Sequence, residues 1–532
     1  MSLDDWRPDA WLGTVADREA VWRVLPFAAG AVVYVAYLLG HAYPAYGAGL
    51  FLETAEQIAA HGYGLPARIP GYTAGGIPFA YPPLAFYVLA VLIDVAGADP
   101  VAVARFLPGL LAVAYLLPYF GIASELTDDT RHAALATLLF ATAPQALKWH
   151  VSAGGVVRSM AFLFALASVY AGIRLFRTHD ARWLAAGTVT FALVVLTHPT
   201  YTVFTVVSYL LVYVALDRSL QGILLGAVVG VGGLVLAAPW WLHVAAVHGV
   251  GIFSTAAGTH GGLGAGPGAL LAKLTYPIDH VTVHWPFYVL VYLGAIYAAV
   301  RRRWFLPAWV LLAVFIVGKN RFAFVPGSIL AATFVLDAVV PAVEARVREG
   351  RSTTGLRRAL PAMVVGLVVL GATVGGVLFA AGAVAGIRGD GAAQPQFADA
   401  ADHRAAAWAA GNTPLDATFV VLGDAAEWFP YLSDRTMLVG PWGMEWKSTD
   451  GYYAQYRRYE SISGCRDAAC IAGALDGAGV QPDYVYVPTG HYTVFDEAHE
   501  QDPSMTESLE ASDRFRVVFE NEGVVIARVE AG

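Results

Sequence analysis

The chain has 532 residues, 57% of them hydrophobic and only 14% charged. Soluble domains run near 45–50% apolar and about 25% charged, so lipid rather than water is the solvent for most of this chain, and a wholly soluble protein is excluded. The net charge of −8 is unevenly placed: residues 389–532 hold 23 Asp and Glu against 9 Lys and Arg, and the remainder is net positive. No basic face exists to neutralise phosphates, which excludes nucleic acid as a partner.

Met1–Arg23 is polar and amphipathic, and residues 1–20 are expected to form a cytoplasmic N-terminal segment. The apolar run Val21–Ala42 is too long for a signal-peptide core and reads as a retained first span. Further apolar runs predict spans at 104–123, 132–147, 157–173, 183–198, 200–216, 219–246, 284–300, 304–318, 322–342 and 359–387, about eleven in all. Pro83–Ala96 is apolar but short and follows Tyr81-Pro82, so it reads as a juxtamembrane or re-entrant helix. With the N-terminus in the cytoplasm, the inner loops collect Arg131, Arg174, Arg177, Arg182, Arg218, Arg301–Arg303 and the arginines of 346–358, as the positive-inside rule requires. A twelfth span at 83–96 would send the Arg301–Arg303 triplet outside. The predicted fold class is therefore an all-α polytopic membrane bundle over 21–388, with outer loops 43–103 and 247–283, followed by an extracytoplasmic α/β domain over 389–532.

That last domain alternates apolar β-rich runs (Ala417–Leu422, Met437–Val439, Tyr484–Val487) with a helical stretch, Asp424–Leu432, that Asp424 is placed to cap. Phe515–Glu520 and Val524–Val529 flank Asn521-Glu522-Gly523, a hairpin signal. Its acidity is of the halophilic type, a surface that repels acidic ligands being the alternative. Cys465 and Cys470 are the only cysteines. They are disulfide candidates in an extracytoplasmic domain, or else two small core residues on one helical face.

The outer loops carry the chemistry. In 50–59 the residues Leu50, Leu52, Ala55, Ile58 and Ala59 form one helical face, and Glu53 and Glu56 share the other. Two carboxylates on an interfacial helix could supply a general base; a solvated polar face is the competing reading. Arg158, Lys319 and Arg321 are cations at membrane edges, either anion ligands or snorkelling side chains. His198, before Pro199, could hydrogen-bond a sugar or cap its helix. His260, Asp279, His280 and His284 match no dense metal motif: no cofactor is indicated, and a divalent metal is possible without being signalled. In Trp442-Gly-Met-Glu-Trp446-Lys-Ser-Thr-Asp450, the indoles Trp442 and Trp446 could stack on a sugar or pack as an aromatic loop.

An acidic loop after the first span, followed by Tyr81-Pro82-Pro83-Leu84, resembles the GT-C class of membrane glycosyltransferases, nearest to the dolichyl-phosphate-mannose protein mannosyltransferase and lipid A aminoarabinose transferase branch. Arg105-Phe-Leu-Pro, Ala141-Thr-Ala-Pro144, Pro239-Trp-Trp241 and Arg321-Phe322 extend the resemblance over roughly residues 20–340. It implies transfer of a sugar from a polyprenyl (dolichyl) phosphate carrier to a glycan, protein or lipid acceptor at the outer face of the cell membrane, as in protein glycosylation or cell-envelope assembly. A loop carboxylate would act as base (Glu53 first, Glu56 second), Arg158, Lys319 and Arg321 would hold the donor phosphate, and Tyr81, His198, Trp442 and Trp446 would contact substrate. The 442–450 stretch is loosely similar to the Trp-Trp-Asp-Tyr-Gly acceptor motif of oligosaccharyltransferases and departs from it. The family also places acidic residues, often Asp-Glu, just before the paired aromatics of the first loop, and here Gly47-Ala48 stand in those places. That substitution keeps open a non-catalytic binding or assembly member of the same fold. A lipid or solute transporter is the third reading, although transporters concentrate charges near the membrane midplane and these spans do not.

Overall fold

The computed structural model describes residues 19–258, 268, 271–272, 274, 284–349, 355–384 and 393–530. Each of the eleven apolar runs forms helix there. Six helices are long and apolar enough to cross a membrane: Glu19–Gly40, Pro100–Thr127, Gly155–Thr178, Pro199–Leu216, Asn320–Arg348 and Ala359–Ala380. Leu220–Leu236 and Ala238–His248 meet at 57° and make a seventh if the bent pair is one span. The other four runs are shorter helices, Thr130–Thr142, Ala181–Val195, Trp285–Val300 and Phe305–Val317. At about 1.5 Å per residue they fall short of a hydrocarbon core about 30 Å thick. Proline sets one of these limits: Ala143 is extended (φ −68°, ψ 119°) ahead of Pro144, and Thr130–Thr142 stops there. The chain is thus a multi-pass membrane protein, with six or seven helices of spanning length among the described residues, interleaved with shorter apolar helices. Its helices turn Leu117, Leu210, Val231 and Leu367 outward, the pattern of a lipid-facing surface.

The two ends of the bundle differ. In Gly155–Thr178, Arg158 lies at the start, whereas Arg174 and Arg177 lie about 25 Å further along the axis and share Glu125 at 2.6 and 2.8 Å. His179 meets Asp217 at 2.9 Å at this same far end. The end that begins with Arg158 carries the C-terminal domain.

That domain is built on a five-stranded sheet in the order β4-β3-β5-β9-β8. Here β3 is Thr418–Val421, β4 Thr436–Met437, β5 Tyr484–Pro488, β8 Phe515–Glu520 and β9 Val524–Val529. β4, β3 and β5 run parallel, and β9 and β8 close the sheet as an antiparallel hairpin. Asn521 turns that hairpin by accepting from the backbone N–H groups of Gly523 and Val524 at 3.0 and 2.8 Å. Smaller pairs flank it: β1 (Arg68–Ile69) with β2 (Ile77–Pro78) in the first loop, and β6 (His491–Val494) with β7 (Glu497–Glu500). Cys465 and Cys470 are disulfide-bonded, with Cα atoms 5.5 Å apart. One expectation changes. Asp424 caps no helix: the segment after β3 is a 3-10 turn, Asp424–Glu427, followed by a single α turn, Phe429–Ser433. The Asp424 carboxylate is buried instead and accepts from the Phe495 and Asp496 backbone N–H groups at 2.9 Å each and from the Tyr459 hydroxyl at 2.8 Å.

Bundle and domain interlock through the first loop. The Tyr46 N–H donates to Pro395 O at 2.8 Å and its hydroxyl to Ala393 O at 3.0 Å, while Trp428 Nε1 donates to Tyr46 O at 2.9 Å. Residues 71–73 pair with β4, Met437 N donating to Gly71 O and Thr73 N to Met437 O, both at 2.8 Å. Tyr72 is fully buried and its hydroxyl donates to Glu427 O at 2.7 Å. The loop and the domain share one hydrophobic core, in which Phe51, Leu52, Ile69 and Tyr72 pack with Phe419, Trp428 and Met437.

Asp424 joins two segments of this domain and holds three donors out of water. Asp424→Ala strands them, at about 1–3 kcal/mol for each unsatisfied buried donor. The expected outcome is a protein whose C-terminal domain unfolds at a lower temperature than wild type and is cut by protease near 490–500; wild-type resistance in that variant contradicts this role.

Candidate functional site

The site forms where the parallel strands of the domain sheet end over the bundle. In open α/β sheets, ligands bind beyond the carboxyl ends of such strands. β3 ends at Val421 and leads, through Gly423 at φ +78°, into the turn that carries Glu427. Its neighbour β4 ends at Met437 and leads to Trp442, Glu445 and Trp446, the last two on the short turn Met444–Trp446. Adjacency in the sheet therefore brings two carboxylates together that are separated in sequence.

From the bundle side come Arg158, on the first turn of Gly155–Thr178, Tyr81 ahead of the Leu84–Val95 helix, His198 at the start of Pro199–Leu216, and Arg321 at the start of Asn320–Arg348. A chain of rings joins them. The Arg158 guanidinium lies over Phe51 at 5.8 Å and Trp149 at 5.0 Å. Phe51 meets Tyr81 at 6.1 Å, and Tyr81 meets both Trp446 at 5.8 Å and His198 at 5.7 Å. His198 meets Tyr201 at 5.0 Å, and the Arg321 guanidinium lies 5.5 Å from the Tyr201 ring. Arg158, Tyr81, Trp442, Glu427 and Glu445 each keep part of their surface open amid buried neighbours. They line one recess.

Electrostatics in the recess are unbalanced. Arg321 is 8% exposed, its Nε has no hydrogen-bond partner, and no carboxylate lies within ion-pairing distance of it among the described residues. Arg435 shows what a structural buried arginine looks like here: its guanidinium donates to Thr413 Oγ1 at 3.0 Å and to the carbonyls of Thr413 and Ala410 at 2.7 Å. Arg158 makes one hydrogen bond, to Gly154 O at 3.1 Å. Burial pushes Glu427 up to about 8, the charges of Asp424 and Glu445 adding to the rise while Arg158 and the Trp442 side chain draw it down. Burial likewise pushes Glu445 up to about 7, against backbone N–H groups and Arg158. Two underbonded guanidinium groups beside two destabilised carboxylates can hold an anion and accept a proton within one recess.

The sequence candidates divide. Arg158, Arg321, Tyr81, His198, Trp442 and Trp446 all stand at the recess. His198 also caps its helix, its ring accepting from Thr200 N at 3.3 Å. Glu53 and Glu56 lie on the flank of the Gly49–Ala60 helix that faces Asp434 and Tyr431. Glu53 accepts from Gln57 Nε2 at 2.9 Å, and burial raises it to about 7. Lys319 is exposed at the edge of its helix. His260, Asp279 and His280 lie outside the described residues, and among the described residues no three of His, Cys, Asp and Glu gather as a metal-binding group. The carboxylates of the recess, Glu427 and Glu445, were missed by sequence reasoning. Glu445 sits inside the aromatic stretch 442–450 that drew notice, but Glu427 carried no motif, because its place follows from sheet order.

No family model matches the chain, and no curated protein matches it in sequence. Its fold is matched by solved structures of GT-C glycosyltransferases. The Archaeoglobus fulgidus oligosaccharyltransferase aligns at 15% identity over 88% of this chain and 69% of its own, with a TM-score of 0.53. ArnT from Cupriavidus metallidurans, bound to undecaprenyl phosphate, aligns at 14% identity over 96% of this chain and 98% of its own, with a TM-score of 0.53. The mycobacterial arabinofuranosyltransferase AftD aligns at 16% identity over 96% of this chain and 40% of its own, with a TM-score of 0.56. At these identities the likeness is one of fold.

A carboxyl held above its unfolded value stabilises the fold while it is protonated. That stability drains away as pH rises from the ordinary value near 4.5 toward the folded value of about 7 for Glu445 and about 8 for Glu427. Glu445→Gln removes the titration. Its thermal midpoint is expected to match wild type near pH 4.5, to exceed it progressively up to about pH 7 and to keep a constant excess above that; a difference independent of pH rules this out.

Proposed function

We propose that this protein is a membrane glycosyltransferase that moves a sugar from a polyprenyl-phosphate carrier to an acceptor hydroxyl or amide at the domain-bearing end, which faces away from the cytoplasm. The observation that carries this reading is the recess itself: Arg158 and Arg321, neither ion-paired with a carboxylate among the described residues, are set among aromatic rings beside proton-accepting carboxylates. The fold likeness to ArnT, whose structure holds undecaprenyl phosphate, supports the class of donor.

In this reading the guanidinium groups neutralise the phosphate, first as a bound diester and then as a leaving group that gains charge. Stabilisation that grows along the reaction coordinate accelerates transfer. The rings of Tyr81, Trp442 and Trp446 offer flat apolar faces to a sugar, and closure of the domain over the bundle keeps water from taking the acceptor's place. The arginines collected at the opposite end, Arg174, Arg177, Arg182 and Arg301–Arg303, support a cytoplasmic setting for that end.

Purified protein in lipid, given radiolabelled polyprenyl-phosphate sugars and a membrane extract as acceptor, is expected to move label. Charge-assisted hydrogen bonds are worth about 1.5–3 kcal/mol, so Arg158→Gln and Arg321→Gln should each weaken use of the donor roughly 10- to 150-fold. Wild-type protein that binds the lipid carrier and moves no sugar from any donor overturns the reading in favour of a non-catalytic role.

A further inference from the structure

We propose that Glu427, carried by the C-terminal domain, is the carboxylate that takes the acceptor's proton, and that Gly47 is in the first loop to make room for it. The inference rests on the transferase reading above and names its base. A Cβ built on Gly47 would lie 1.9 Å from Glu427 Oε2 and 2.0 Å from its Cδ. Real Cβ atoms do not approach other atoms so closely. The Glu427 carboxylate therefore fills the volume that any side chain at position 47 would occupy. Gly49 repeats the requirement on the backbone: its Cβ would lie 2.2 Å from Glu427 O and 2.8 Å from Trp428 Cα. Neither glycine has a positive φ. Space, not backbone conformation, is what a side chain would lack here: at Gly49 the obstacle is fixed backbone, and at Gly47 it is the end of the Glu427 side chain, which would have to move aside.

The placement is held from several sides. Tyr72 donates to Glu427 O at 2.7 Å, and Trp428 Nε1 donates to Tyr46 O at 2.9 Å, so the backbone on either side of the Glu427 side chain is tied to the first loop. Arg158, Trp442, Asp424, Glu445, Tyr72 and Tyr459 are among the polar and charged groups that interact with Glu427 or its loop. Of these, Arg158 is the one cation, and its guanidinium also lies over the Phe51 and Trp149 rings. Gly47 is also where the first-loop pattern calls for an acid. The carboxylate is present at that point in space, but a different part of the chain supplies it. Glu53, the alternative on the loop itself, interacts with Gln57, Glu56, Asp434 and Tyr431 and shares Tyr72 with Glu427, but among the described residues no arginine is among its partners.

The step balances without a further reactant. The acceptor's O–H or N–H proton passes to a Glu427 carboxylate oxygen as the acceptor atom bonds to the anomeric carbon. The bond from that carbon to the phosphate oxygen breaks, and its electron pair leaves on the polyprenyl phosphate beside Arg158. Only the ionised carboxylate can accept the proton, and burial pushes Glu427 up to about 8. Transfer should therefore rise with pH through that region.

The test uses full-length protein in lipid with the radiolabelled donors, comparing wild type, Glu427→Gln, Glu427→Ala, Gly47→Asp, Glu53→Gln and the double variant Gly47→Asp with Glu427→Ala. Positioned general bases contribute about 10²–10⁴-fold, so Glu427→Gln should lower the rate at saturating donor by about that factor and leave the donor KM within about threefold. Gly47→Asp alone should also lose transfer, because two side chains compete for one space. The double variant puts a carboxylate back into the vacated volume. It should recover at least about tenfold over Glu427→Ala, and the rising limb of its pH profile should move from that of wild type. Rescue of this kind does not arise if Glu427 only props the domain. Transfer that survives Glu427→Gln, loss in Glu53→Gln with retention in Glu427→Gln, or a double variant no better than Glu427→Ala overturns the assignment while the transferase reading stands. A wild type that transfers nothing overturns both.

Discussion

The clasp between the first loop and the C-terminal domain is the constraint on which the rest of the structure depends. Tyr46 bonds the 393–396 segment leading into the domain, through its backbone N–H to Pro395 and its hydroxyl to Ala393, and residues 71–73 pair their backbone with Met437. Buried backbone groups must find partners somewhere. Here the loop finds them on the domain and the domain finds them on the loop, so neither surface is complete alone. The two share one apolar core, which is why a membrane bundle and an acidic α/β domain with opposite solvent preferences form one contiguous protein.

The recess is a by-product of that closure. Its carboxylates ionise reluctantly because the clasp removes water from around them, and its arginines are underbonded because the helices that carry them end there, with few carbonyls to spare. Desolvation thus acts in two ways on the same few side chains: it raises Glu427 and Glu445, and it strengthens the pull of Arg158 and Arg321 on any anion that enters. Asp424, next to the recess in sequence, shows the structural counterpart, a buried carboxylate satisfied by the Phe495 and Asp496 N–H groups and the Tyr459 and Thr493 hydroxyls.

Much of this was legible in the chain. Each expected apolar run forms helix among the described residues, because transfer into lipid rewards long apolar segments regardless of what they pack against. Their length was less legible. Ala143-Pro144 cut one run short, and three other apolar runs form helices of only 13 to 16 residues. The β-runs of the domain and the Asn521–Gly523 turn were readable from local preference, whereas Asp424 was misread as a cap because its actual partners, Phe495, Asp496 and Tyr459, are remote in sequence. Arg158, Arg321, Tyr81 and the tryptophans stood out as costly or conspicuous residues at membrane edges, and they do meet at one place.

The amino-acid sequence by itself determined the solvent of each part: lipid for the bundle, water for the acidic domain, and an arginine-rich end set against an aromatic-rich one. These are properties of composition and period, which need no partner to be expressed. Only the tertiary structure decided which carboxylate stands in the recess. That choice depends on β3 and β4 lying side by side, on the turn after β3 folding back toward the loop, and on Gly47 and Gly49 having no side chain where Glu427 arrives. A vacancy at position 47 reads in sequence as a missing acid. In space it is the room that a residue 380 positions later requires, and a linear pattern holds no record of such long-range contact.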